Sequence, residues 1–174
     1  MEERISTLAS IFAAHFSAHL DKVRLKSGKV TERIRMDHPV ASAVLPITGE
    51  NEIIMVWQYR YALGKDSLEI PAGKVDPGES PLDCAGRELM EETGYRAEKL
   101  EEIFEYYPAI GYSNEIIKIF VGTGLKKMGG RIDEEEISKV EIIPMDRVKE
   151  MILKGRIRDS KTVLGIALLQ KLKW

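Results

Sequence analysis

The stretch "RELMEETGY", Arg87 to Tyr95, constrains this chain more than any other. Glu88, Glu91 and Glu92 stand at relative positions 0, +3 and +4, so on an α-helix all three carboxylates project from one face. Gly94 reads as the residue just past the helix C-terminus, where anions meet the negative end of the helix dipole. Like charges at this spacing also repel. Local stability therefore opposes the arrangement. Two readings account for it: a solvated acidic face, or an oxygen-ligand set for Mg²⁺ or Mn²⁺, whose charge removes the repulsion. Arg87 lies four residues before Glu91 and can pair with it and orient it. Upstream, Ser80 suits the N-cap, Pro81 the first helical position, and Asp83 nearly completes a capping box, which predicts a helix to about Thr93.

The rest of the chain punctuates clearly. Ile5, Leu8, Phe12 and Phe16 sit near helical spacing and predict an N-terminal amphipathic helix over residues 3–19. "HLDKVRLKSGKVTERIRM" alternates apolar and polar residues on both sides of Lys26-Ser27-Gly28-Lys29 and predicts a β-hairpin. "ASAVLPI" and "EIIMVWQYR" read as strands, "LEIPAGKVDPGESP" as a long loop rich in turn residues. "KLEEIFEYYP", "EIIKIFVGTGL" and "SKVEIIPM" read as further strands, "DRVKEMILKG" and "SKTVLGIALLQKLKW" as closing helices. Strands interleaved with helices, together with hairpins, predict an α/β fold with a mixed sheet flanked by helices.

At 174 residues, with no repeat or linker, the chain is expected to form one domain over 1–174. A net charge of −2 gives no electrostatic case for nucleic acid as the partner. No apolar run reaches the ~20 residues of a membrane span, and the acidic N-terminus "MEERISTLAS" does not read as a targeting peptide. Cys84, without a second cysteine, excludes an intramolecular disulfide and fits a reducing cytoplasm. It carries no nucleophile's partners in sequence and reads as a packing residue. His15, His19 and His38 lack ligand-like spacing.

From Gly73 the sequence runs Gly73, five residues, Glu79, seven residues, Arg87-Glu88-Leu89, one residue, Glu91-Glu92, one residue, Gly94-Tyr95. Every fixed position resembles the signature of the Nudix hydrolase family. The resemblance implies a Nudix-type α/β/α sandwich with a mixed sheet, here preceded by the N-terminal helix and hairpin. It implies cleavage of a nucleoside diphosphate linked to a further group, with a divalent metal, Mg²⁺ or alternatively Mn²⁺, and water. Carried over residue by residue, Glu88 and Glu92 are the principal side-chain ligands of the metal, Glu91 supports them, and the Ala72 carbonyl adds a ligand from the loop. Glu79 orients the loop and Arg87. The physical logic is that a diphosphate gathers negative charge, and attack of water on phosphorus adds more.

"LEIPAGKVDPGE", with Glu69, Pro71 and Ala72 before Gly73, resembles the branch of ADP-ribose pyrophosphatases and nucleoside-diphosphate-sugar hydrolases. In that branch an arginine at the position of Arg60 grips the diphosphate, a task that suits a guanidinium. "YYPAIGYSNE" resembles its substrate loop at Gly111 and Glu115, whereas Ile110 departs from the proline common there and leaves the sugar open. An acidic loop supplies the catalytic base, which points to "GGRIDEEEISKV", with Glu134 as the base and Glu136 beside the metal. By the same resemblance Arg33 and Phe16 contact the nucleoside, and residues 1–38 form a dimerisation element of a homodimer. A nucleotide sugar is thus the expected substrate. A nucleoside triphosphate or dinucleotide is the enzyme alternative. A non-catalytic nucleotide-sugar sensor is opposed by the retention of every carboxylate of the signature.

Overall fold

The computed structural model describes residues 1–129 and 135–172, and the chain separates into two compact units. The first comprises Met1–Val40 and Tyr106–Ile117, the second Ala41–Glu105 and the chain from Lys118 onward.

The first unit is built on a three-stranded sheet, β1 (Glu3–Phe12), β2 (Ser17–Arg24) and β3 (Val30–Asp37), in the order β1-β2-β3. Both pairings are antiparallel, and the β2–β3 hairpin stands where the alternation around Ser27-Gly28 predicts it. The N-terminal helix does not form: residues 3–12 are strand. Two interruptions of the β1–β2 register, between Arg4 and Ser6 and between Thr7 and Ala9, leave Ile5 and Leu8 unpaired. Each bulge adds a residue and stretches a period of two towards three, which mimics helical spacing in the sequence. The strand is further tied by Thr7, whose hydroxyl donates to Asp21 at 2.6 Å.

Apart from Tyr106 and Ile117 at the ends of two strands, the second unit carries the remaining elements. They are β4 (Ala41–Pro46), β5 (Glu52–Arg60), a 3₁₀ turn (Tyr61–Leu63), β6 (Lys65–Glu69), β7 (Ala72–Lys74), α1 (Pro81–Thr93), β8 (Tyr95–Arg96), β9 (Lys99–Tyr106), β10 (Ile117–Thr123), β11 (Lys126–Lys127), β12 (Ile137–Pro144), α2 (Met145–Leu153) and α3 (Ser160–Leu172). They form sheets ordered β7-β4-β10-β9 and β12-β5-β6 and a short β11-β8 ribbon, a mixed α/β architecture as the element pattern predicts. The turn-rich segment after β5 is not one loop. It contains β6 and β7, because the free edge of β4 recruits Ala72–Lys74 in antiparallel register (Ala43↔Ala72, Ser42↔Gly73). Among the described residues, no helix is long and apolar enough to cross a membrane.

Two packing contacts position the site. Ala85 and Leu89 of α1 are fully buried against Val44 of β4 and Phe120 of β10. Burying a leucine side chain of this kind contributes about 2 kcal/mol. Glu92 shares that helical stripe, seven residues from Ala85, so docking the apolar residues carries a carboxylate inward with them. On α3, Gly165 meets β4 so closely that a Cβ there would fall 2.7 Å from Leu45 Cδ1.

Candidate active site

Helix α1 begins and ends on the signals its sequence carries. The Ser80 hydroxyl accepts from the Asp83 N–H at 3.1 Å, and Pro81 opens the first turn. Gly94 adopts φ 74°, ψ 14° and donates its N–H to the Met90 carbonyl at 2.9 Å. Between these limits the carboxylates are graded by their angle from the buried stripe. Glu92 is 4% exposed, the Glu88 side chain 13% and the Glu91 side chain 54%.

The loop before α1 presses its backbone against these carboxylates. Glu92 accepts from the Ala72 N–H at 3.2 Å. A Cβ on Gly73 would lie 1.8 Å from Glu88 Oε1, so only glycine admits the loop this close. Arg87 holds the arrangement from the other side. Its Nε and Nη2 donate to the two Glu79 oxygens at 2.9 and 3.0 Å, and Nη2 also donates to the Lys74 carbonyl at 3.1 Å. Its Nη1 donates to Glu88 at 2.7 Å and to Glu91 at 3.0 Å. Glu79 therefore anchors the loop and the arginine together, and Arg87 pulls its carboxyl down to about 2. Cys84 packs beneath the loop, its thiol donating to the Lys74 carbonyl at 3.4 Å, and burial pushes it up to about 11.

The electrostatics single out two carboxylates. Burial first, then the neighbouring Glu88, pushes Glu92 up to about 8, against the opposing pull of the Ala72 N–H and Lys161. Glu88 is also raised, chiefly by burial, with Arg87 opposing. Glu136 adds to both upward shifts, so it belongs to the same acidic group. Its carboxylate accepts from Gln58 Nε2 at 3.1 Å.

On the neighbouring strands Arg60 makes a two-pronged ion pair with Glu69, Nε to Oε1 at 2.9 Å and Nη2 to Oε2 at 2.5 Å. Lys161, on α3, also binds Glu69. Burial alone would raise Glu69, but Arg60 and Lys161 together hold it at about 2.

This chemistry suits a divalent cation. All the donors are oxygens, Glu92 is buried and among the described residues accepts one N–H, and the acidic side chains outnumber the basic ones. Among the described residues no three Asp, Glu, His or Cys side chains already stand together as a closed cage. Arg87 is the cation that engages Glu88 and Glu91 in this arrangement.

Arg60, Glu69, Ala72, Arg87, Glu88, Glu91, Glu92 and Glu136 all fall in the second unit. Glu134, expected as the base, lies outside the described residues. Arg33, Gly111 and Glu115 belong to the first unit. There Arg33 is paired with Glu2 through Nε at 3.1 Å and Nη2 at 2.8 Å. Glu115 stands 3.6 Å from His38, whose ring stacks on Phe16. Gly111 lies in the exposed turn just before Tyr112.

Sequence reasoning missed Gln58 and Lys161. Gln58 carried a signal, because strand alternation places it on the face of Ile54 and Val56, both buried. Lys161 stood at a helix start among Asp159, Ser160 and Thr162, where polar residues are ordinary caps.

A model of the NUDIX domain matches residues 36–164. The chain is 40% identical to the methanol dehydrogenase activator of Bacillus methanolicus, over 97% of this chain and 93% of that one. It is 36% identical to the ADP-ribose pyrophosphatase of Bacillus subtilis (strain 168), over 98% of this chain and 94% of that one. The crystal structure of an ADP compounds hydrolase superposes with a TM-score of 0.82 at 21% identity, covering 98% of this chain and 94% of that chain, a likeness of fold.

Proposed function

Because the chain belongs to the Nudix family, we propose that it hydrolyses the diphosphate bond of ADP-ribose or a related nucleoside diphosphate sugar to a nucleoside monophosphate and a sugar phosphate. The observation that carries this reading is the buried, excess-negative pair Glu88 and Glu92, held against the Ala72–Gly73 backbone. The 36% identity to an ADP-ribose pyrophosphatase supports the choice of substrate.

Glu88, Glu92, Glu91 and the Ala72 carbonyl would hold Mg²⁺, or alternatively Mn²⁺. The ion supplies neutralisation of phosphate charge and a more acidic bound water. Arg60, with its side chain 38% exposed, offers guanidinium hydrogen bonds to a phosphate. Arg87 keeps Glu88 and Glu91 in place through Glu79. A carboxylate of the 134–136 segment accepts the proton of the attacking water, while the phosphorus–oxygen bond to the leaving phosphate breaks. Glu136, oriented by Gln58, is the described candidate, and Glu134 is the other. Glu69, which holds Arg60, and Gly111, Glu115 and Arg33 contribute to substrate recognition.

The protein works in the cytoplasm as a homodimer, without nucleic acid or membrane. Self-association is supported by the apolar side chains that the first unit exposes, Ile11, Phe12 and Ile34 at 73%, 77% and 61%. A second reading rests on the activator from Bacillus methanolicus, at 40% identity. In it the diphosphate belongs to a dinucleotide.

The test is turnover of ADP-ribose, ADP-glucose, GDP-mannose, UDP-glucose, NADH and dNTPs, with and without Mg²⁺. Metal-dependent cleavage led by ADP-sugars is expected. A lead for NADH selects the second reading, a lead for dNTPs discards the sugar branch, and tight binding without cleavage indicates a sensor.

A further inference from the structure

The geometry points to Lys161 as a positioning residue, which holds Glu69 and balances its charge so that the Arg60 guanidinium is not outweighed by carboxylates when it faces an anionic ligand. This rests on the reading that the site receives a diphosphate.

Gly165 brings α3 against Leu45, and Lys161 lies one turn earlier on the same face. The contact therefore sets the lysine beside the end of β6. Thr162 fixes the register, since its hydroxyl accepts from the Ile70 N–H at 3.0 Å and donates to Asp159 at 2.6 Å. The Lys161 side chain is 8% exposed and its ammonium contacts Glu69 and, at 3.1 Å, Asp159. It is thus spent on protein carboxylates inside the unit, and any influence on ligand passes through them.

Charge counting gives that influence a direction. Among the groups in direct contact, Glu69 and Asp159 supply two negative charges and Arg60 and Lys161 two positive ones, while Glu92 acts on both cations from a distance. Without Lys161, two carboxylates would act on the one guanidinium, and Arg60 would present a net negative neighbourhood to an anion. Arg60 would also be drawn further onto Glu69. With the lysine in place, Glu69 is shared, and among the described residues Arg60 Nη1 keeps no partner. Such an Arg–Glu–Lys group ties ligand affinity to a buried charge that the ligand never touches.

The experiment compares wild type, Lys161→Met, Arg60→Ala and the double variant on ADP-ribose with Mg²⁺, after circular dichroism confirms folding. Lys161→Met is expected to raise KM about tenfold with kcat within about threefold, the signature of lost uniform binding. In the Arg60→Ala background it should change KM less than about twofold, because the group it serves is gone. An unchanged KM, or the same rise in both backgrounds, overturns the inference and leaves a structural role. Removing a buried charge partner can prevent folding. In that event Asp159→Asn decides, since relieving one negative charge should lower KM about threefold, and an equal or higher KM overturns the inference. If wild type cleaves nothing on the substrate panel, the functional reading fails, and calorimetric titration with ADP then decides for Lys161. A tenfold weaker affinity in Lys161→Met supports it, whereas equal affinity, or no ADP binding by wild type, overturns it.

Discussion

Glu92 and Glu69 are both buried carboxylates, 4% and 3% exposed, and their surroundings treat them oppositely. Among the described residues Glu69 has two cations and stays ionised, whereas Glu92 accepts one backbone N–H and is pushed up to about 8. The difference separates an ion-paired carboxylate from one whose surroundings disfavour its charge, as the proposed metal ligand would be. Glu92→Gln is therefore expected to lower kcat by about 10³-fold or more while leaving the melting temperature equal or higher, because a neutral amide replaces a carboxyl whose ionised form the site disfavours. A melting temperature that collapses, or full activity, would contradict the assignment. For Glu69 the sign runs the other way. Its folded value of about 2 lies below the ordinary 4.5, so its contribution is complete above pH 4.5 and fades as pH falls towards 2. Wild type should exceed Glu69→Gln by about 3 kcal/mol at pH 7 in chemical denaturation, and the gap should close near pH 2. A gap that is constant with pH would show that the Arg60–Glu69–Lys161 group is not what holds the carboxylate down.

At the scale of elements, the site is a contact between a helix face and a strand that the turn-rich sequence concealed. Gly73→Ala tests that contact: its Cβ must displace Glu88 or β7, so we expect at least a tenfold loss of kcat with circular dichroism unchanged. Activity within twofold of wild type would mean that the loop and helix need not meet. How much of this was legible depended on the range of the cause. Helix α1 announced itself through local rules, a Ser80 cap, Pro81 and Gly94, and its three carboxylates followed from a spacing. The β2–β3 hairpin likewise followed from local alternation. Strand β7 was illegible because its cause is the edge of β4, roughly thirty residues earlier in the chain. Strand β1 was misread as helix because bulges at Ile5 and Leu8 altered its period. Lys161 was invisible because its partner Glu69 is 92 residues away, and nothing local distinguishes it from a helix-capping lysine.

At the scale of the molecule, the chain divides its labour between a unit that carries the acidic site and a unit whose sheet exposes apolar side chains. The second feature predicts self-association. Substituting Ile11 and Phe12 with Asp together should turn a dimer into a monomer in sedimentation, whereas a wild type that already sediments as a monomer would remove the homodimer from the account. The central claim concerns the first feature, that α1 and its loop form a divalent-metal site for diphosphate hydrolysis. The most direct measurement follows ADP-ribose by ³¹P NMR with wild type and Glu92→Gln, each with and without MgCl₂. The account predicts that the diphosphate signals give way to those of AMP and ribose 5-phosphate only for wild type with Mg²⁺. Conversion in the absence of added metal and in the presence of chelator, or equal conversion by Glu92→Gln, would contradict it.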